Sequence, residues 1–288
     1  MGLKVATHSG PFHADDVLAW ALICCFLDAD AELIRTRDDA EIDKADMAFD
    51  VGGVYDSELR RFDHHQHTYD GPLSSAGMVL TWLQETGRIS AELYEELRQQ
   101  LVAYVDDVDN GRVAPVEGVP CFPMLIGSFN LSCESLEDFD RAFVRAGEAA
   151  QGVVQGIADG VARAALSRET VQAAMRTADL GGHNYMVLES YVKWKKAYFA
   201  MGGETHPTEF VLHPGLDSRW RVVAIPPEAG SFDKKCPLPE SWAGLRDDEL
   251  AQISGVEGAV FCHKNRFIAV WHTREQLERA LRGVSLLR

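Results

Sequence analysis

The run "DDVLAWALICCFL" (15–27) is apolar on nearly every face of a helix, and it follows the short apolar run "LKVAT" (3–7). A helix with no polar side must be covered all round, so this chain has to assemble a sheet and further helices around it. Matching strand-like pieces come next: "AELIRT" (31–36), "DMAFDV" (46–51) and "LRRFD" (59–63), with "DDAEIDKA" between the first two as a short helix or turn. Helical patterns follow in "SSAGMVLTWLQETG" (74–87) and "AELYEELRQQLVAYV" (91–105), the former opened by small capping residues. Strands alternating with helices predict an α/β fold with a parallel, doubly wound sheet. Residues 135–178 read as long helices, and the texture changes at "GGHNY" (181–185). Beyond it lie strand-like pieces such as "EFVLHP", "RWRVVAIP", "GAVFCH" and "RFIAVW", then a closing helix "TREQLERALRG". The expected domains are therefore 1–180 and a smaller α+β domain 181–288, with 226–242 a proline-punctuated loop.

The length of 288 residues exceeds what one core usually supports, which also argues for two domains. None of the six cysteines forms a C-x-x-C pair, which excludes a zinc ribbon and a thioredoxin-like centre and fits a reducing, cytoplasmic setting. The longest apolar run is too short to span a bilayer, and the start of the chain lacks a leader pattern, so no membrane association is expected. A formal charge of −16 argues against coating nucleic acid by bulk electrostatics. It leaves a polyanionic substrate open, because carboxylates holding divalent cations present positive charge locally.

The titratable residues fall at telling places on this frame. His8 ends the first strand, His13 and Asp15 lead into the first helix, Asp50 ends the third strand, and Asp63, His64 and His65 end the fourth. All stand at carboxyl ends of strands, the edge where an open α/β sheet binds ligands. Imidazole and carboxylate without thiolate suit Mn²⁺, with Mg²⁺, Fe²⁺, Co²⁺ or Zn²⁺ as alternatives. The set His8, His13, Asp15, Asp50, His64 and a later aspartate exceeds one tetrahedral shell and matches two ions. Asp50 is the bridging candidate, since Gly52 and Gly53 leave room for close backbone approach. Each residue has a plainer reading as a cap, turn or solvated loop; convergence on one edge favours the metal site.

In "VAYVDDVDNG" (102–111), Asp106, Asp107 and Asp109 sit at a helix C-terminus against the dipole. A metal would explain that cost, and Asp106 is the preferred ligand, with Asp109 one turn on. Ser74 and Ser75 either cap their helix or offer amides to a phosphate oxygen.

The motifs "THSGPFHADDVLA", "FDVGGVYD", "RRFDHHQ", "LSSAGMVL" and "VDDVDNG", then "RWRVVAIP", "GSF", "LPESWAGLRDDEL" and "GAVFCH", resemble in order those of the melanocyte proliferating gene (MYG) exonuclease family, a branch of the DHH phosphoesterase superfamily. The resemblance covers nearly the whole chain. It implies a DHH-type N-terminal domain holding two divalent ions, usually Mn²⁺, and a smaller C-terminal domain that closes over substrate. It further implies 3'-5' exoribonuclease activity on RNA or oligonucleotides by two-metal hydrolysis. His8, His13 and Asp15 match the first motif, Asp50 the second, Asp63, His64 and His65 the DHH motif, and Asp106 the fourth. In that reading His65 donates to a phosphate oxygen or leaving group, Asp63 orients a histidine, and His67 is a bystander. Where the family commonly has a glycine pair, this chain has Ala269 and Val270, which bears on His263 and Arg266 as substrate contacts.

"YVKWKKAYF" (191–199) reads as an amphipathic helix with a lysine face, or else as a stacking surface for single strands. Two rival functions stand beside the exonuclease: a phosphatase on pyrophosphate or a nucleotide, and a nonenzymatic metal-dependent RNA-binding module. The native metal and any homo-oligomer are left open by the sequence.

Overall fold

The computed structural model describes residues 2–288, which form two compact units that divide between residues 161 and 162. In the first unit, β1 (Lys4–Thr7), β2 (Glu32–Arg35), β3 (Met47–Phe49), β4 (Tyr55–Asp56) and β5 (Arg61–Phe62) form one sheet in the order β2-β1-β3-β5-β4. β2, β1, β3 and β5 run parallel, but β4 pairs antiparallel with β5. The sheet is therefore mixed, where the sequence suggested a parallel one. The cause is local. After β3 the chain turns through Gly52 and Gly53, both at positive φ, and enters a tight hairpin. There Asp56 Oδ1 accepts bonds from the Glu58 and Leu59 amides, and Arg60 takes a left-handed conformation.

Side-chain alternation along the strands sorts two faces. Val5, Met47 and Phe49 join the main core with α1 (Ala14–Phe26) and α3 (Ser75–Glu85), while Ala6 and Ala48 meet only the short α2 (Asp39–Ile42) with Ala45 and Val51. The helices are thus massed on one face, and α2 is a thin cover on the other. As its composition requires, α1 is buried along every position from Ala14 to Ile23. The next helix runs through α4 (Ala91–Leu97), a π turn (Arg98–Val102) and α5 (Ala103–Asp109), four residues past its expected end at 105. Gly111, at φ 68°, stops it.

After the short α6 (Phe122–Gly127), α7 is a single helix of 46 residues, Leu136–Gly181, where several helices were expected. No proline interrupts it. Ala142, Ala146, Ala150 and Val154, four apart, bury one stripe in the first core; farther on, Val171, Ala174 and Met175 enter a core of the second unit. The two units divide within this helix, between Val161 and Ala162, rather than at its end.

The second unit has a sheet in the order β6-β7-β8-β10-β9, from β6 (Tyr185–Val187), β7 (Phe210–Pro214), β8 (Trp220–Ala224), β9 (Ala259–Cys262) and β10 (Ile268–Trp271). Only β6–β7 is parallel. One face, with Leu212, Val222, Ala269 and Trp271, packs against α10 (Arg274–Gly283) and Leu250 of α9 (Asp247–Ser254). The other, with Met186, Val211 and Val223, meets α8 (Trp194–Ala200) and the end of α7. In α8, Trp194 and Tyr198 are buried core residues while Lys195 and Lys196 are exposed, the pattern of an amphipathic helix; Phe199 is half-buried and Tyr191, just before the helix, is exposed. Among the described residues, no helix is long and apolar enough to cross a membrane.

Candidate metal centre

β1, β3 and β5 are adjacent and parallel, so the residues after them emerge at one edge: His8 after β1, Asp50 after β3, and Asp63 with His64 after β5. The N-terminus of α1 brings His13, Asp15 and Asp16 to the same place, and the end of α5 brings Asp109. Asp50 adopts φ 55°, a left-handed conformation that aspartate tolerates better than most residues, and is 3% exposed.

Three groups of side chains converge within metal-binding reach: His8, Asp16 and Asp50; Asp50, His64 and His65; and His13, Asp15 and Asp109, the ligand atoms of each lying within 4.8 Å of one another. Asp50 belongs to two of them. Its Oδ2 is 3.2 Å from His8 Nε2, and its Oδ1 is 3.4 Å from His64 Nε2. His8 Nε2 also lies 3.1 Å from Asp16 Oδ2, and His64 Nε2 lies 3.1 Å from Asp109 Oδ2 and 3.7 Å from Asp15 Oδ2.

The charges are unusual for an interior. Burial alone would lower the pKa of His8 and His64, but Asp16 and Asp50 beside the first, and Asp109 and Asp50 beside the second, outweigh it and carry both up to about 10. Burial raises the Asp15 carboxyl well above its ordinary range, helped by the charges of Asp50 and Asp109. Asp50 goes the other way: burial would raise it, but the neighbouring His64 and His8 imidazoles overcome that and hold it low. Both oxygens of Asp15 and Oδ2 of Asp16 are buried with no hydrogen-bond donor, and His64 Nε2, although close to carboxylates, is aligned with none. A buried carboxylate without a donor is costly. Divalent cations would resolve that cost, and the nitrogen and oxygen donor set, free of thiolate, suits borderline or hard ions. The residues present fit such ions.

The supporting shell adds detail that the sequence did not give. Asp106, the preferred ligand, joins none of the three groups: its Oδ1 accepts the Ser74 amide (3.0 Å), the Ser74 hydroxyl (2.7 Å) and the Gly77 amide (3.2 Å), which ties α5 to the start of α3. Asp109, one turn on, takes the place beside His13 and Asp15. Ser74 and Ser75 are fully buried, and their hydroxyls go to Asp106 and to Asp50 Oδ1 (3.2 Å), so both hydroxyls brace carboxylates. Asp16, outside the expected ligand set, caps α1 by accepting the His13 amide with Oδ1 (3.0 Å), and its other oxygen faces His8. Two adjacent aspartates ahead of an apolar helix were the signal for it.

Asp63 accepts the Gly53 amide (2.6 Å) on one oxygen, and on the other the His65 amide (3.0 Å) and His65 Nδ1 (2.8 Å). His65 thus has a fixed ring while its side chain stays 61% exposed, and the Asp63 bond raises its pKa. His67 is exposed. His263 and Arg266 occupy the β9–β10 hairpin of the second unit, where His263 Nδ1 accepts the Asn265 amide (3.1 Å) and Arg266 adopts φ 58°. Ala269 and Val270 are buried strand residues, so the chain has side chains in its core where a glycine pair would leave backbone bare.

Gly77 shows how tight this packing is. A Cβ there would fall 2.4 Å from Asp106 Oδ2. Alanine normally favours a helix over glycine by about 1 kcal/mol, but here displacing a carboxylate with three bonds wins, and Gly77→Ala is expected to destabilise by about 2–3 kcal/mol. Urea unfolding midpoints check this; an unchanged or higher midpoint contradicts the role given to Asp106.

The arrangement defines a class: an α/β unit whose strand ends gather histidines and carboxylates into groups that could hold metal ions. The family model described as "Uncharacterised protein family (UPF0160)", for MYG1 exonuclease, matches residues 4–281, and the chain belongs to that family. The "MYG1 protein" of Chlamydia pneumoniae is 40% identical over 281 residues, covering 97% of this chain and 95% of the relative. Proteins named "MYG1 exonuclease" from Mus musculus and Homo sapiens are 31% and 30% identical, each over 94% of this chain and over 82% and 83% of their own lengths. No solved structure matches the chain.

Proposed function

We propose that this chain is a divalent-metal-dependent phosphodiesterase, a 3'-5' exoribonuclease of single-stranded RNA or short oligonucleotides working by two-metal hydrolysis. The observation that carries the reading is Asp50, whose two oxygens face two different histidines, the placement a bridging carboxylate needs. Relatives named exonuclease support the reaction class. His8, Asp16 and Asp50 would hold one ion; Asp50, His64, Asp15, Asp109 and His13 would hold the other. When bound, two such ions, Mn²⁺ foremost, supply Lewis-acid stabilisation of phosphate charge and a more acidic water.

The chain's own residues do the rest. His65, held by Asp63 through Nδ1, keeps Nε2 for a phosphate oxygen or for the leaving alkoxide, and its raised pKa retains the proton to be given. Asp63 fixes the ring through two anchored oxygens. The Ser75 hydroxyl and the left-handed backbone hold Asp50 in line.

The test is a 5'-labelled RNA single strand incubated with the chain and Mn²⁺. Stepwise release of mononucleotides from the 3' end is expected, stopped by EDTA. Single-stranded DNA and pyrophosphate run in competition, ranked by kcat/KM, separate the exoribonuclease from a small-molecule phosphatase. Binding of RNA without any turnover in Mn²⁺ would overturn the proposal and leave the nonenzymatic reading.

A further inference from the structure

We propose that the sheet of the second unit carries a site for a nucleoside phosphate, with Arg219, Arg221 and Arg246 receiving the phosphate and Val260, Phe261 and Val270 forming the floor beneath a flat ring. A depression of about 300 Å³ lies on this face, lined by those six residues with Ile268 and Asp217. All belong to the second unit.

The charge pattern is the first support. The chain has 44 acidic and 28 basic residues, and arginines elsewhere pair with carboxylates, as Arg35 does with Asp140, Arg112 with Asp107 and Arg274 with both Glu189 and Glu278. In this depression three guanidiniums share one lining carboxylate, Asp217, which lies 2.8 Å from Arg221 Nη2 and 4.0 Å from Arg219 Nε, so positive charge is in excess. Asp247 approaches Arg246 Nε only to 3.9 Å, beyond hydrogen-bond length. Guanidinium forks match phosphate oxygens in pairs.

Preorganisation is the second support. Arg219 and Arg221 stand on the β7–β8 hairpin, closed by the Gly215 amide to the Arg219 carbonyl (2.7 Å). Asp217 Oδ1 accepts the Arg219 amide (3.3 Å) and Arg221 Nη2 (2.8 Å). The Arg221 guanidinium lies where a Cβ at Gly215 would stand, within 2.0 Å of that point, so a larger residue there would displace it. A held guanidinium loses less freedom when an anion arrives. Arg246 enters from a separate segment, over the Phe261 ring at 5.9 Å from its centroid.

The floor decides the ligand class. Val260 and Val270 are buried apolar residues, and Phe261 is half-buried. Inorganic phosphate would use the rim alone; a nucleoside phosphate uses rim and floor together. Either a free nucleotide or the end of a single strand offers that chemistry.

The experiment measures binding to the full chain in EDTA and low salt, so that hydrolysis plays no part and a failure of the exonuclease reading leaves the measurement intact. The probes are AMP, inorganic phosphate, a five-nucleotide RNA and polyglutamate. AMP is expected to bind more tightly than phosphate, and Arg219→Ala/Arg246→Ala, both on exposed side chains, to weaken AMP by about tenfold or more at an unchanged unfolding midpoint. RNA binding tighter than AMP with a steeper salt dependence identifies a strand end as the source; equal affinities identify the free nucleotide, and both support the site. Unchanged AMP affinity in the double variant overturns it, as does displacement of AMP by polyglutamate at equal charge concentration, which marks a surface for acidic peptides.

Discussion

Asp50→Asn is expected to eliminate the proposed Mn²⁺-dependent turnover while the chain still folds. The substitution keeps size and shape and removes the charge shared by His8 and His64. Loss of a partner behind a metal ligand costs about 10–100-fold in metal affinity or activity, so loss of the bridging ligand itself should exceed about 100-fold. Asparagine is the right replacement because position 50 is left-handed, at φ 55°. Asparagine visits that region readily, whereas Asp50→Ala adds about 1 kcal/mol of backbone strain. Single-turnover kinetics with saturating RNA, beside thermal unfolding of both variants, check this. Turnover within tenfold of the parent in Asp50→Asn would remove Asp50 from the centre.

The second large effect is on stability. Mn²⁺ at about a hundred times its Kd should stabilise the chain by about 2.7 kcal/mol, a rise in Tm of roughly 4–5 °C for a chain of this size. Its pH dependence follows from the site. Without ions, His8 and His64 have pKa values raised to about 10 by their carboxylate partners. Their contribution to stability is complete below about 6.5, the unfolded value, and is lost as pH climbs toward 10. Asp15 acts in the same direction, since its carboxyl is raised in the folded chain and ionising it there is unfavourable. Divalent ions take the place of those protons, so Mn²⁺ affinity should rise with pH from about 6.5 to 10 and binding should release protons. Calorimetry in buffers of different ionisation enthalpy counts the protons, and melting curves with Mn²⁺ or EDTA give the shift. No Mn²⁺-induced rise in Tm, or an equal rise in Asp50→Asn, contradicts the assignment.

The sequence placed His8, Asp50 and His64 at one edge because strand ends in an α/β alternation are legible from apolar runs, and β1, β3 and β5 do lie side by side. It was less informative on helices. Asp15 and Asp16 are consecutive, so about 100° of helix separates their directions, and no pattern says which faces His8 and which His13. Both join the cluster. Asp106 and Asp109 share a face by spacing, and only the tertiary position of the α3 N-terminus commits the first to Ser74 and Gly77. β4 escaped notice because two residues cannot display an alternation. The boundary near 181 followed a change of texture that marks the end of α7, while the compact units part twenty residues earlier, in mid-helix, where composition does not change.

The π turn at Arg98–Val102 gives the helix that carries Asp106 and Asp109 one residue more than a regular α-helix would use over the same span. Every side chain after it is therefore indexed about 100° from where an unbroken count would put it. A homologue that is one residue shorter here, though otherwise well matched in hydropathy, would aim its acidic pair in another direction, so gap placement at this turn governs which aspartates correspond.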